Sequence, residues 1–211
     1  MPRSSKIIQL RQILAERFPQ EKVAPLLTPT GWPPLDALSG GGLPRGSITQ
    51  LLISSISAGG AIVLHEIIDA LHEHSRFVAL VDGKNSFEPP DDYPLLLWVR
   101  CHDAPQALKA TDLVLRDSNL SFSILDLTQN SEAELRKIPG TTWYRFQRII
   151  EENKSTLLTI TRHPIVSSAQ ITILLTHQLI MNDLTSLRPE IIKHFSLSIT
   201  RCRSALEYRY A

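Results

Sequence analysis

The sequence predicts an α/β fold in which a mainly parallel sheet is flanked by helices. Five short runs are apolar almost throughout, as is typical of parallel strands that are covered on both faces. These runs span residues 48–54, 77–82, 95–100, 122–127 and 156–161. Helical stretches separate them, and this alternation favours a parallel sheet with right-handed connections.

The N-terminal region is predicted to form a separate helix on a linker. Apolar residues recur at helical spacing over residues 5–18, and the proline-rich stretch 19–34 is more consistent with an extended tether than with a helix. We therefore expect an N-terminal segment, 1–29, ahead of a core domain, 30–211. The helix either packs on its own core or docks on another protein or a second copy. The candidate docking residues are Leu10, Leu14 and Phe18.

Three helices are predicted between the strands. Polar residues share one face over residues 61–74, which leaves an apolar face for the sheet. Asp103 can cap the next helix, with Pro105 in its first turn, where a missing N–H is harmless. A third helix spans residues 142–152. Its predicted buried residues are Trp143, Phe146 and Ile150.

The C-terminal part of the chain breaks the alternation of strand and helix. Residues 171–179 and 195–202 interleave Thr and Ser with apolar side chains, which predicts strands. We expect both to be antiparallel additions at one edge of the sheet.

Composition and charge limit the function classes. The chain has 211 residues, of which 43% are hydrophobic and 20% are charged, as expected for one globular domain. Its formal charge of +1 gives no overall attraction to nucleic acid or to an anionic membrane. Two distant cysteines, Cys101 and Cys202, indicate neither a disulfide framework nor a zinc ribbon. Because the chain also lacks the continuous apolar block of a signal peptide, we expect a soluble, cytoplasmic protein.

A turn-rich segment precedes the first strand. In residues 30–51, three consecutive glycines permit positive φ, and Pro44 to Gly46 forms a tight turn before Ile48. On physical grounds alone, this segment predicts no catalytic chemistry.

The amino-acid sequence of the same segment closely resembles the segment that leads into the ATPase core of the RecA-like recombinase superfamily. Residues 80–82 with 86–89 are similar to the family's second strand and following loop, 95–99 to its third strand, and 124–126 to its Walker B strand. The resemblance covers roughly residues 30–163, with the matches in the family's order. It implies a RecA-like domain related to DNA repair.

The resemblance places a phosphate-binding loop at residues 53–60, where the family pattern is not kept. Such a loop needs G-x-x-x-x-G-K-[ST], because its lysine neutralises phosphate charge and its hydroxyl holds Mg²⁺. Ile53 and Ala58 stand in place of the two glycines. Gly59 and Gly60 stand in place of the lysine and the Ser/Thr. We therefore expect a degenerate loop without productive ATP hydrolysis and without a cofactor.

A weak or atypical ATPase with a vestigial nucleotide site is the alternative. The loop still leads into a helix near Ala61, where backbone N–H groups can face an anion. However, Lys84 stands where the family has its catalytic glutamate, and a lysine is a poor general base at neutral pH. The candidate site residues are Ser54, Ser55, Ser57, Gly59, Gly60 and Asp126.

Within the superfamily, the chain looks most like the ImuA-like accessory proteins of DNA-damage-induced (SOS) translesion synthesis. The likeness lies in residues 96–100, in the helix over 107–116 and in the ending 198–203. It implies a non-catalytic adaptor whose partners are a RecA-type recombinase and a polymerase-like (ImuB-like) protein.

A single-stranded DNA-binding module is a third interpretation. Arg162 follows one predicted strand, whereas Arg201 and Arg203 lie near the end of the chain, close to Tyr208 and Tyr210 for stacking. If the arginines meet in the fold, they form a small basic patch for nucleic acid. Otherwise they are solvated charges on edge strands.

Overall fold

A seven-stranded sheet forms the centre of the computed structural model, which describes residues 26–55, 58–89, 93–177, 179–180, 183 and 185–203. The strands in chain order are β1 (Leu27–Thr28), β2 (Leu43–Pro44), β3 (Ser47–Ile53), β4 (Val78–Asp82), β5 (Leu96–Arg100), β6 (Phe122–Asp126), β7 (Thr156–Thr161), β8 (Ile171–Thr176) and β9 (Ser196–Cys202). The large sheet has the spatial order β5-β4-β6-β7-β3-β8-β9. Its neighbours are parallel except for β8 and β9, and β1 pairs with β2 in a separate antiparallel sheet.

Helices lie on both faces of the large sheet. Those in the described part of the chain are α1 (Pro33–Leu38), α2 (Gly60–Glu73), α3 (Ala104–Leu115), α4 (Glu132–Leu135), α5 (Gly140–Asn153) and α6 (Arg188–Ile192). Side chains of α2 pack with Leu80 and Ile124 in one buried cluster. Those of α3 and α5 pack with Val81 and Leu125 in a second cluster on the opposite face. Neither α2 nor any other described helix is long and apolar enough to cross a bilayer.

The five predicted parallel strands are confirmed, with ends that differ by at most one residue. Every residue of β4, β6 and β7 is buried, because successive side chains enter opposite helix-covered layers. This two-sided burial explains their continuous apolar runs. The edge strand β5 is covered less completely, and Leu97 remains 49% exposed.

The three helices predicted between the strands are also confirmed, and local signals fix where they begin. Asp103 caps α3 by accepting a hydrogen bond from the N–H of Gln106 at 2.8 Å. Helix α5 begins two residues before the predicted start, at Gly140, and it buries Trp143, Phe146 and Ile150 as expected.

The C-terminal strands correct one detail of the sequence prediction. β9 runs antiparallel to β8, but β8 itself is parallel to β3, with Ile171 beside Thr49. β8 is therefore an interior strand and only β9 is an antiparallel edge. The interleaved threonines of β8 predict an edge strand, yet Thr172 is buried between two neighbouring strands.

Residues 27 and 28, just before the predicted boundary at residue 30, contact the core. Thr28 of β1 pairs with Leu43, and its hydroxyl accepts a hydrogen bond from the hydroxyl of Thr156 at 3.1 Å. These contacts make residues 27–28 part of the packed domain. The predicted N-terminal helix and its candidate contacts, Leu10, Leu14 and Phe18, lie outside the described residues.

Candidate functional site

The loop between β3 and α2 leads directly into a helix N-terminus. Ser54 is exposed, and its backbone N–H donates to the carbonyl of Leu175 on β8 at 3.2 Å. Ala58 is buried, and its N–H donates to the carbonyl of Ser55 at 3.1 Å. Ser57 lies outside the described residues. The loop is thus tied to β8 at its start and turns back on itself before the helix begins.

Two glycines form the junction of this loop with α2, and other side chains fill the space beside both. Gly59 is the N-cap of α2 and has a φ of +83°, which glycine adopts without strain. A Cβ atom at this position would overlap the ring of Phe195, just before β9. A Cβ atom at Gly60 would overlap Cδ1 of Ile53. A side chain at either position therefore requires Phe195 or Ile53 to move.

The ring of Phe195 is itself held by two other rings. Trp32, which is 2% exposed, contacts it edge-to-face with centroids 6.4 Å apart and planes at 80°. His177 lies beside it with ring centroids 5.0 Å apart. Phe195 therefore packs against the loop as part of an aromatic cluster.

A cavity of about 290 Å³ opens beside the junction, at the carboxyl ends of the parallel strands. It is lined by Ile53, Ser55, Gly60, Ala61, Leu64, His65, Ser86, Phe87, Glu88, Asp126, Thr128, Gln129 and Arg162. Of the residues predicted for a vestigial nucleotide site, Ser55, Gly60 and Asp126 line this cavity. Ser54 and Gly59 lie next to it in the chain without lining it.

Asp126 is a buried carboxylate at the end of β6. Its Oδ1 accepts hydrogen bonds from the backbone N–H of Thr128 at 2.9 Å and from the hydroxyl of Thr128 at 2.7 Å. Burial raises the pKa of Asp126 to about 6, and the neighbouring carboxylate of Asp82 adds to the increase, whereas the two hydrogen bonds oppose it. The two aspartates are direct neighbours across β4 and β6. The ionised form of Asp126 is therefore costly in this fold.

Lys84 lies in the loop after β4 and turns toward α4. Its Nζ donates to the carbonyl of His102 at 3.0 Å and to Oε1 of Glu134 at 3.3 Å. Neither Lys84 nor these partners belong to the cavity lining. The ammonium group therefore supplies no charge to the cavity from within it.

Arg162 follows β7 and supplies a guanidinium group to the cavity. Its Nε donates to the carbonyl of Thr128 at 2.8 Å, and its Nη2 donates to the carbonyl of Asn130 at 3.4 Å. These contacts fix the guanidinium beside the loop that follows β6. Arg162 thus faces the same cavity as Asp126.

The structure does not bring Arg162 together with the other two arginines of the predicted DNA-binding patch. Arg201 pairs with Thr172 near the amino end of β8, and the side chains of both Arg201 and Arg203 donate to the carbonyl of Ser167. β7 and β8 both run parallel to β3, so the carboxyl end of β7 and the amino end of β8 lie at opposite ends of the strands. The three arginines therefore form no shared patch. Tyr208 and Tyr210 lie outside the described residues.

Comparisons with known proteins relate this architecture to recombinases. No family model matches the chain. The RecA protein of Cutibacterium acnes is 32% identical over 126 residues, which cover 54% of this chain and 36% of that protein. The RecA protein of Chlorobaculum tepidum is 31% identical over 104 residues, which cover 46% of this chain and 30% of that protein. The chain thus spans about a third of the length of these relatives.

A solved structure of the RadB recombinase gives the corresponding structural match. The TM-score is 0.55 at 16% identity, and the match covers 71% of this chain and 83% of that one. The fold is RecA-like. The expected mainly parallel α/β architecture is thereby confirmed.

Within the RecA-like fold, the cavity lies where open α/β sheets ordinarily bind ligands, outside the carboxyl ends of the strands. Its polar groups are of mixed charge, with the carboxylates of Asp126 and Glu88 and the guanidinium of Arg162. At the helix N-terminus, Gly59 and Gly60 supply backbone N–H groups but neither an ammonium nor a hydroxyl group. This arrangement can orient a small polar molecule, but residues 59 and 60 lend it no charge or metal ligand.

One side of the cavity is not predicted by the sequence. Nε2 of His65 lies 3.2 Å from the carbonyl oxygen of Glu88, and its ring contacts Phe87 with centroids 4.8 Å apart. Phe87 in turn meets Trp98 edge-to-face at 5.5 Å. The resemblance indicates that residues 86–89 form the loop after β4, but their proximity to His65 depends on the packing of α2 against that loop.

Proposed function

We propose that the chain is a non-catalytic RecA-like accessory protein that acts through protein contacts in damage-induced translesion synthesis. The observation that carries this proposal is the filled space at the start of α2, where the Phe195 ring abuts Gly59. A phosphate-binding lysine has to project from a position of this kind toward the β- and γ-phosphates. Here the position has no side chain and its space belongs to another residue.

The charges of the cavity support the same conclusion. ATP brings several negative charges, and hydrolysis needs Mg²⁺ and lysine to neutralise them as the bond to the γ-phosphate breaks. Loss of one preorganised donor in such a site typically costs about 3 to 4 kcal/mol of transition-state stabilisation. The carboxylates of Asp126 and Glu88 add negative charge to the cavity, and among the described residues that line it Arg162 supplies the guanidinium. The residues therefore favour a binding or structural use of the cavity over ATP turnover.

The proposed partners are a RecA-type recombinase and a polymerase-like (ImuB-like) protein. The sequence relatives named RecA and the structural match named RadB recombinase support a role next to recombinases. We further propose that the N-terminal helix provides one contact, through Leu10, Leu14 and Phe18. Its apolar stripe is too short to stabilise an isolated helix, so docking would supply the missing burial.

A nucleotide titration tests the absence of catalysis. We expect millimolar Mg·ATP to leave the melting temperature unchanged and to yield no phosphate above the background of the buffer. A ligand present at 100 times its Kd would stabilise the fold by about 2.7 kcal/mol, which raises the melting temperature measurably. Hydrolysis, or stabilisation that Asp126→Ala removes, would contradict the proposal.

Mixing experiments test the adaptor role. We expect the purified chain to form a complex with the RecA-type recombinase from the same source, measured by size-exclusion chromatography with and without ATP. A chain that binds neither this recombinase nor the polymerase-like protein at micromolar concentrations is not the proposed adaptor.

Weak nucleotide binding without turnover is a second candidate function, and Arg162 is the observation that favours it. The guanidinium lines the cavity beside Asp126 and is held by two backbone carbonyls. An arginine so placed can bind a phosphate through two N–H groups. If this is its role, Mg·ATP or ADP raises the melting temperature and Arg162→Gln removes the effect, with no phosphate released in either case.

A further inference from the structure

A shallow groove of about 410 Å³ lies on the outer surface between the end of α3 and the exposed side of α5. It shares no lining residue with the cavity at the start of α2, and it belongs to the opposite helix layer. Three arginines line it together with an exposed tyrosine and an apolar floor. These residues are Arg116, Arg145, Arg148, Tyr144 and Ile149, and Thr141 and the carboxylate of Glu152 complete the lining.

One carboxylate between the helices orients two of the arginines. Oδ2 of Asp112 lies 3.0 Å from Nε of Arg116, and its Oδ1 lies 2.9 Å from Nε of Arg145. The two guanidinium groups stay largely in solvent, with side chains 58% and 55% exposed. One carboxylate therefore positions two guanidinium groups at the rim of the groove. Asp112, Arg116 and Arg145 together keep a net positive charge.

Arg148 differs from these two arginines. Its side chain is exposed, and its guanidinium makes no hydrogen bond or ion pair with any described residue, although Glu152 lies one helical turn further along the same groove. Arg148 lies one helical turn after Tyr144, so the two side chains are neighbours on the surface of α5. Tyr144 is 54% exposed, and Ile149 forms the apolar floor beside them.

This combination of side chains is typical of the energetic centre of a protein interface. Tyrosine and arginine are enriched there because they bury a large area while keeping polar groups to pair. An unpaired guanidinium beside an aromatic ring and an apolar floor matches a segment that carries a carboxylate next to an apolar side chain. The groove thus offers a cationic contact and an apolar contact side by side for a peptide of that kind.

We propose that this groove binds an acidic segment of a partner protein, in which an Asp or Glu carboxylate pairs with Arg148 and an adjacent apolar side chain packs on Tyr144. The inference rests on the proposed function, because it gives the accessory role a contact surface. A nucleic acid fits less well. Its phosphates occur at every nucleotide and need a row of free cations, whereas Arg116 and Arg145 already pair with Asp112, which leaves Arg148 to pair with a single carboxylate.

Fluorescence anisotropy with defined probes tests this groove in the full-length chain. The probes are a fluorescein-labelled peptide of four Ser-Glu-Leu repeats, the matching Ser-Gln-Leu peptide and a labelled twelve-nucleotide oligo-dT. We expect the acidic peptide to bind, and the Gln peptide to bind at least about tenfold more weakly. Raising the salt from low to moderate concentration should weaken the acidic peptide further.

Variants separate the groove from general surface charge. Arg148→Glu should weaken binding of the acidic peptide at least about tenfold, and Tyr144→Ala should weaken it several-fold. Arg201→Glu makes the same change of charge on β9 and should leave binding within about twofold of the wild type. Because these side chains are exposed, melting temperatures should stay close to the wild-type value.

Three outcomes would overturn the proposal. The first is no binding of the acidic peptide at millimolar concentration, and the second is equal loss with Arg148→Glu and Arg201→Glu. The third is tighter binding of oligo-dT than of the peptide, with loss on Arg148→Glu, which would assign the groove to nucleic acid. None of these readouts involves ATP or the recombinase, so failure of the groove and failure of the adaptor role are distinguishable.

Discussion

Replacement of Asp126 by asparagine should stabilise the protein at neutral pH. The wild-type carboxyl group has its pKa raised from 3.8 to about 6 by burial and by Asp82. Asparagine keeps an Oδ1 atom that can accept the two hydrogen bonds from Thr128, but it carries no charge to desolvate. The difference between these pKa values corresponds to about 3 kcal/mol, which is the upper limit of the gain.

The direction of the pKa shift determines the pH range over which Asp126→Asn and the wild type differ in stability. The folded state binds the Asp126 proton more tightly than the unfolded state, so this group favours folding below pH 3.8 and its contribution is lost as the pH rises to about 6. Asp126→Asn should therefore equal the wild type near pH 4 and exceed it increasingly up to pH 7. Above pH 7 the difference should stay constant.

Urea unfolding followed by circular dichroism at several pH values between 4 and 8 measures this difference. Asp126→Ala serves as a control, because it removes the charge together with the acceptor for Thr128 and should recover less stability. If the free energies of unfolding of the wild type and Asp126→Asn run parallel over the whole range, the carboxyl group titrates normally and the reasoning is wrong. If the asparagine variant also loses stabilisation by Mg·ATP that the wild type shows, the carboxylate is a functional metal ligand.

Three further predictions concern the helix cap, the loop and the N-terminal helix. Asp103→Ala should lower the free energy of unfolding by about 1 kcal/mol in urea titration, because it removes the N-cap acceptor for Gln106. Gly59→Lys should lower the free energy of unfolding by about 2 kcal/mol or more, because lysine is strained at positive φ and overlaps Phe195. It should not restore ATP turnover. In the Phe195→Ala background, Gly59→Lys should lower the free energy of unfolding by less. Leu14→Asp should abolish pull-down of the recombinase and leave the melting temperature nearly unchanged, since a charge opposes burial of the stripe.

Each of these predictions has a matched comparison. Lys109→Ala, at an exposed position of α3, should change stability by less than about 0.5 kcal/mol, and an equal loss with Asp103→Ala would deny the cap its role. Strictly additive losses for Gly59→Lys and Phe195→Ala would show that the ring does not restrict position 59. For Leu14→Asp, a loss of several kcal/mol with the partner still bound would place that helix in the protein's own core.

Those parts of the fold that depend on local signals could be predicted from the sequence. The continuously apolar strands are a direct result of burial on two faces, and Asp103 marks the start of α3 because capping involves residues only three apart. The direction of β8 could not be predicted in this way. Whether Ile171 lies parallel or antiparallel to its neighbour is decided by pairing with Thr49, far away in the chain.

In the candidate site too, some residues could be placed from local sequence and others could not. The position of Asp126 at the end of a buried strand follows from local sequence, and the structure places it in the cavity. The sequence groups Arg162 with Arg201 and Arg203 in a DNA-binding patch, which the structure does not form. The position of Arg162 depends on which strands lie beside β7, and the local sequence does not reveal them. The contact of Phe195 with Gly59 joins two segments on either side of β8, and no periodicity in either segment indicates it.

The contact between Phe195 and Gly59 also restricts how this sequence can change. A single substitution that brings lysine to position 59 creates a variant in which the new side chain and the ring compete for one volume. The alternative order replaces Phe195 before lysine is introduced at position 59. That first replacement removes the ring contact with Trp32 and loosens the aromatic cluster. Any mutational path toward a lysine-bearing loop therefore passes through a less stable intermediate, so that selection for folding alone keeps this glycine in place.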